Sequence, residues 1–117
     1  MSFTIQERQV GDVLVLDCVG KIVAGAGAVM LREALRDFIN RGYKKVLLNL
    51  KEVHFIDSSG LGEMVTGHQY LKNQEGEIGL FNLTERVARL IQISKLYTVF
   101  TIYADEAMTV HTAPGSR

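Results

Sequence analysis

Apolar residues recur along this chain in two rhythms, one of period two and one near 3.6, and the changes between them mark out its elements. Phe3 to Arg8 alternates apolar and polar residues, Val10-Gly11-Asp12 interrupts, and Val13 to Val19 resumes with β-branched and aliphatic residues, which predicts a β-hairpin. Gly20 is expected to end the second strand. Ala24-Gly25-Ala26-Gly27 then forms a flexible entry to a segment whose Leu31, Leu35, Phe38 and Ile39 fall at helical spacing, with Gly42 as the stop. Lys44-Lys45 precede Val46-Leu47-Leu48-Asn49-Leu50, a nearly unbroken aliphatic run expected of a central strand covered on both faces.

A short connection containing Phe55 and Ile56 is expected next, and then Asp57-Ser58-Ser59-Gly60 opens a helix with Leu61, Met64, Val65, His68 and Leu71 on one face. Glu77 to Phe81 reads as a fourth strand. Thr84 reads as the N-cap of a short third helix striped with Val87, Leu90 and Ile91, and Tyr97 to Tyr103 as a return to strand. Asp105 to Val110 is expected to add a helical turn or two, and Thr112 to Arg117, with Pro114 and Gly115, to fray. Strands alternating with helices predict an α/β domain, a mixed β-sheet of four to five strands covered by helices. The 117 residues suffice for one hydrophobic core and no second domain.

Composition narrows the function classes. At 47% hydrophobic and 22% charged, the chain has the balance of a soluble globular protein. Thirteen basic residues against thirteen acidic ones leave no global positive field, so nucleic acid is not an expected partner. The apolar runs fall far short of the ~20 residues of a bilayer span. Met1 to Glu7 also lacks the basic-then-apolar order of a leader, so a cytoplasmic protein without membrane insertion is expected.

Chemistry-bearing residues are sparse. Cys18, the sole cysteine, lies in an alternating apolar stretch and reads as a buried, inert thiol. His54, His68 and His111 lack the close spacing of zinc ligands, so neither metal nor cofactor is expected, and His68 reads as a partly buried, hydrogen-bonded core histidine. The chain has no Gly-x-Ser-x-Gly elbow and no convergent titratable set, which argues against an enzyme. Gly25-Ala26-Gly27 is too short for a phosphate-binding fingerprint, and Met30, Met64 and Met108 read as packing.

The informative stretch is Phe55-Ile56-Asp57-Ser58-Ser59-Gly60-Leu61-Gly62, where two apolar anchors meet a polar helix start. The first N–H groups of a helix lack intrahelical acceptors, so a Ser or Asp oxygen caps them and a phosphate is favoured beside the positive end of the macrodipole. Phosphorylating Ser58 would add about −1.5 to −2 charges beside Asp57 without disturbing the core. The simpler account makes Ser58 only an N-cap, worth roughly 1 kcal/mol. Leu61 and Gly62 stand three residues after the two serines, so neither serine completes a capping box. Gly60 and Gly62 each cost roughly 1 kcal/mol inside a helix. They are expected either to serve the turn or to let another chain approach bare backbone.

Val46-Leu47-Leu48-Asn49-Leu50, Val53 and the 55–62 segment together resemble the signature of STAS-domain anti-sigma factor antagonists. The hairpin, Gly20-Lys21-Ile22, Phe81-Asn82, Val99-Phe100 and Asp105-Glu106-Ala107 fall in that family's order. The resemblance implies a single STAS domain over residues 1–111 and a flexible tail at 112–117. It implies a non-enzymatic regulator that binds an anti-sigma factor serine kinase and so releases a sigma factor. The kinase would phosphorylate Ser58, a serine phosphatase would reverse this, and Asp57, Ser58, Ser59, Gly60, Leu61 and Gly62 would form the partner surface. Monomer and homodimer both stay open. Lys21, Val23 and Asn49 stand where family members often carry acidic residues. They motivate an alternative, a STAS subunit of a signalling scaffold or lipid-transport complex.

Overall fold

Gly11, at φ 62°, closes the turn that pairs Val10 with Val13, because a left-handed residue matches the twist of the strands it joins. The hairpin so formed begins the structure, a computed structural model that describes residues 3–104. Strands β1 (Thr4–Val10) and β2 (Val13–Ile22) are antiparallel. They are followed by α1 (Ala26–Asn40), β3 (Lys45–Ile56), α2 (Ser58–Asn73), β4 (Glu77–Phe81), α3 (Glu85–Ser94), a 3₁₀ turn at Leu96–Thr98 and β5 (Thr101–Tyr103). The sheet order is β1-β2-β3-β4-β5, and every pair after the hairpin is parallel. The expected helical turns at Asp105 to Val110 and the expected fraying tail lie outside the described residues.

Period-two alternation sorts the strand residues onto two faces. Leu14, Leu16 and Cys18 of β2, Val46, Leu48 and Leu50 of β3, and Ile78 and Leu80 of β4 join one large buried cluster. Leu31, Leu35, Phe38 and Ile39 of α1, Met64 and Leu71 of α2, and Val87 and Ile91 of α3 complete it, so all three helices serve the same core. The opposite face holds a second buried cluster of Val13, Val15, Leu47, Phe81 and Tyr103. The central strand is therefore apolar on both sides, as the run at 46–50 predicts.

Three expectations need correction. Gly20 does not end β2, which continues to Ile22, and the segment after Leu50 is not a connection but the second half of β3. The parallel register shows why the sequence hides this. The offset between β2 and β3 grows by one residue between Asp17 and Val19 and by another between Gly20 and Lys21, so β3 carries two bulges. After Leu50 its buried positions are Val53 and Ile56, every third residue, and the alternation that betrays a strand is lost. The third correction is at residues 97–103: Tyr97 and Thr98 lie in the 3₁₀ turn, and only Thr101–Tyr103 pair as β5.

Helix ends follow local chemistry. Thr84 Oγ1 accepts from Val87 N–H at 3.4 Å as the cap of α3, and also donates to the Val53 carbonyl at 3.0 Å, tying α3 to the bulged half of β3. Gly42, at φ 91°, ends α1 while its N–H returns to the Ile39 carbonyl.

Candidate functional site at the start of α2

β3 delivers the chain to a corner. Ile56 is buried as its anchor, but Phe55 is 38% exposed and does not anchor the corner from below. The bulges turn the end of β3, so pairs of consecutive side chains, Lys51-Glu52 and His54-Phe55, face solvent. Asp57 is the N-cap of α2, and Ser58 is its first helical residue. The capping role weighed for Ser58 therefore belongs to its neighbour. Ser58 and Ser59 are exposed, and no hydrogen bond among the described residues ties down the Ser58 hydroxyl.

The Asp57 carboxylate works in two directions. Its Oδ1 accepts from Gly60 N–H at 2.9 Å, which caps α2, and its Oδ2 accepts from Ala24 N–H at 2.9 Å, in the segment between β2 and α1. The Asp57 N–H donates to the Ile22 carbonyl at 3.2 Å. The Ala24 amide first, and then that of Gly60, hold the carboxyl below the usual range, so it is charged at neutral pH.

The two glycines of the motif do different work. A Cβ on Gly60 would collide with the Ile22 carbonyl oxygen and lie 2.6 Å from Ile22 Cγ2, so the close approach this glycine permits is to β2 of its own chain. Gly62 is exposed, with nothing within 4 Å of such a Cβ, and Leu61 is half-buried. The partner surface expected from sequence is thus divided: Ser58, Ser59 and Gly62 outside, Asp57 and Leu61 at the boundary, Gly60 beneath. On α1, Val29 is 42% exposed and Met30 40% exposed, so Met30 is not the packing residue its composition class suggests.

Asn49, on β3, belongs to a polar ladder across the second face. Its Nδ2 donates to Asp17 Oδ1 at 2.8 Å, and its Oδ1 accepts from Asn82 Nδ2 at 3.1 Å. Asp17 also meets Arg8 at 2.6 Å, a pairing that with the Asn49 bond holds its carboxyl below the usual range against partial burial. An aspartate at position 49 would set two like charges side by side, so the amide here suits Asp17. Sequence spacing held no sign of this, because the partners lie 32 and 33 residues apart.

At the far end of α2 an open cleft of about 760 Å³ is lined by His68, Lys72, Glu77, Tyr97 and Thr101 among others. His68 is buried, its Nδ1 accepts from Ile78 N–H at 3.4 Å, and its ring meets Phe100 edge-on, the hydrogen-bonded core role that its spacing predicts. Cys18 is buried with its Sγ 3.6 Å from the Leu16 carbonyl, and burial, helped by the Asp17 charge, pushes its thiol up to about 12. No helix among the described residues is long and apolar enough to cross a membrane.

A mixed five-stranded sheet with its helices on one face is the arrangement of the STAS fold, and the STAS domain family model matches residues 4–108. The anti-sigma-B factor antagonist of Bacillus subtilis is 32% identical over 104 residues, 89% of this chain and 94% of that protein. The TM1081 homolog of Thermotoga neapolitana is 37% identical over 67 residues, 57% of this chain, and the match spans only 59% of that protein. The fold also matches SpoIIAA, a Bacillus cell fate determinant and anti-sigma factor antagonist. Its unphosphorylated form aligns with TM-score 0.78 and 22% identity over 92% of this chain and 94% of that one. Its phosphorylated form aligns with TM-score 0.73 and 20% identity over 94% and 100%. The chain belongs to the family of STAS-domain anti-sigma factor antagonists.

Proposed function

We propose that this chain is a partner-switching regulator that binds an anti-sigma factor serine kinase while Ser58 is free and releases it when Ser58 is phosphorylated. Binding sequesters the kinase and frees its sigma factor, and a serine phosphatase resets the switch. The carrying observation is the exposed Ser58 side chain at the first position of α2, beside the capping carboxylate of Asp57. The Bacillus protein of the same fold solved in both phosphorylated and unphosphorylated forms supports the reading.

The transfer forms a bond from Ser58 Oγ to the γ-phosphorus of ATP and breaks the bond to ADP, which leaves with the electron pair. The hydroxyl proton passes to a base on the kinase. The product carries about −1.5 to −2 charges next to Asp57, in a surface that contact with the kinase would desolvate. Repulsion and lost hydration then act together against the complex, while the free N–H groups at the head of α2 stabilise the phosphate within the chain.

Incubation with the cognate kinase and ATP tests this by mass spectrometry. One phosphate is gained by the wild type and none by Ser58→Ala. Ser58→Asp weakens kinase binding by roughly 100-fold, about 2.8 kcal/mol. A phosphate gain that survives Ser58→Ala defeats the proposal, and a kinase complex indifferent to Ser58→Asp favours the constitutive-subunit alternative.

A further inference from the structure

Three segments converge where β2 ends. A Cβ on Gly27, near the start of α1, would lie 2.6 Å from the Lys21 carbonyl oxygen, and one on Gly60 would strike the Ile22 carbonyl oxygen. Both helices therefore press their first turns onto consecutive peptide groups of the same strand. Between them runs the segment at 23–25, which bends at Gly25, φ 95°, and enters α1 without a side-chain cap.

The Asp57 carboxylate is what joins this segment to α2. Its bond to Gly60 N–H suffices to cap the helix, and a serine would make it as well. The second bond, from Ala24 N–H at 2.9 Å, reaches 33 residues back along the chain and adds nothing to the cap. It holds an exposed backbone segment at a fixed place beside Ser58.

Next to the clasp, the segment and the helix head expose mostly small side chains. Ala24, Gly25 and Ala26 are exposed on one side, and Ser58, Ser59 and Gly62 on the other. Small side chains offer a partner mainly the shape of the backbone beneath them, and recognition by shape suffers from positional freedom. A segment ordered before the encounter loses less freedom on binding.

We propose that Asp57 is a positioning residue, whose clasp on Ala24 makes the 23–25 segment and the head of α2 one preformed docking surface for the kinase that acts on Ser58. This rests on the switching reading above and adds the group that builds its surface. The role differs from capping, because the cap fixes only α2 whereas the clasp fixes two segments relative to each other.

The test uses the full chain with Asp57→Ser, which keeps a capping oxygen but is too short to reach Ala24. Asp57→Asn serves as a second variant whose amide nitrogen cannot accept. Hydrogen exchange at Ala24 is expected to speed up at least tenfold while Gly60 stays protected. With the cognate kinase, KM for the variant chain rises about tenfold and kcat changes less than twofold. An Ala24 amide as protected as in the wild type, or a deprotected Ala24 with unchanged KM, overturns the proposal. A wild-type chain that takes no phosphate instead defeats the switching reading, and this proposal falls with it. A phosphorylated wild type with indifferent variants defeats the clasp alone.

Discussion

Gly60 and Gly62 stand two residues apart in α2 and meet opposite surroundings, so the same substitution should act in opposite directions. Gly60→Ala drives a methyl group into the Ile22 carbonyl and should cost about 1–3 kcal/mol, seen as a fall in Tm. Gly62→Ala meets nothing and should add about 0.5–1 kcal/mol by restricting the unfolded chain, seen as a rise in Tm. If both lower Tm equally, the packing of α2 on β2 is not as described. Cys18 gives a second check at this scale. With its thiol pushed up to about 12 by burial, it should resist alkylation at pH 8 in the native protein and react on addition of denaturant.

Between elements, the contacts that matter are polar groups held in apolar settings. Lys45 is 2% exposed at the start of β3, and its ammonium meets Glu77 of β4 at 3.1 Å and Tyr103 of β5 at 2.5 Å, so one cation joins the starts of β3 and β4 to the end of β5. Burial pushes the Glu77 carboxyl up, but the Lys45 ammonium and the Tyr103 and Thr101 hydroxyls outweigh it and leave the carboxyl below its ordinary value. Glu77→Gln should therefore cost about 1–3 kcal/mol in denaturant unfolding at pH 7, because it removes the Glu77 charge from beside a buried ammonium. His68, between α2 and β4, is depressed by burial and by the Lys72 charge, against a smaller opposite effect of Glu77. A base whose folded value lies below its unfolded one contributes its stability above the unfolded value, near 6.5, and loses it as the pH falls. Tm should thus decline between pH 7 and 5, and His68→Gln, which keeps a neutral acceptor for Ile78 N–H, should flatten that decline.

For the whole molecule, the sheet is the platform that presents the corner where β3 passes into α2. Leu47 lies on the face opposite the helices and is fully buried, so Leu47→Ala should cost about 2–5 kcal/mol in denaturant unfolding while leaving Ser58 exposed. The elements that read clearly from sequence are those governed by local rules: the Gly11 hairpin, the helical stripes of α1 to α3, the Thr84 cap and the aliphatic run of β3. An exposed serine beside an aspartate at a helix start was equally legible, because capping chemistry and helical period act within a few residues. Other features depend on partners far along the chain. The bulges of β3 follow from its pairing with β2, the role of Gly60 from the Ile22 carbonyl, and the ladder at Asn49 from Asp17 and Asn82. The sequence by itself thus determined the hairpin, the three helices, the first half of β3 and the hydroxyl at the head of α2, since short-range sterics and hydrogen bonding decide those. Only the tertiary structure decided that the capping carboxylate of Asp57 also holds Ala24, because that bond exists only when chain segments 33 residues apart fold onto the same strand end.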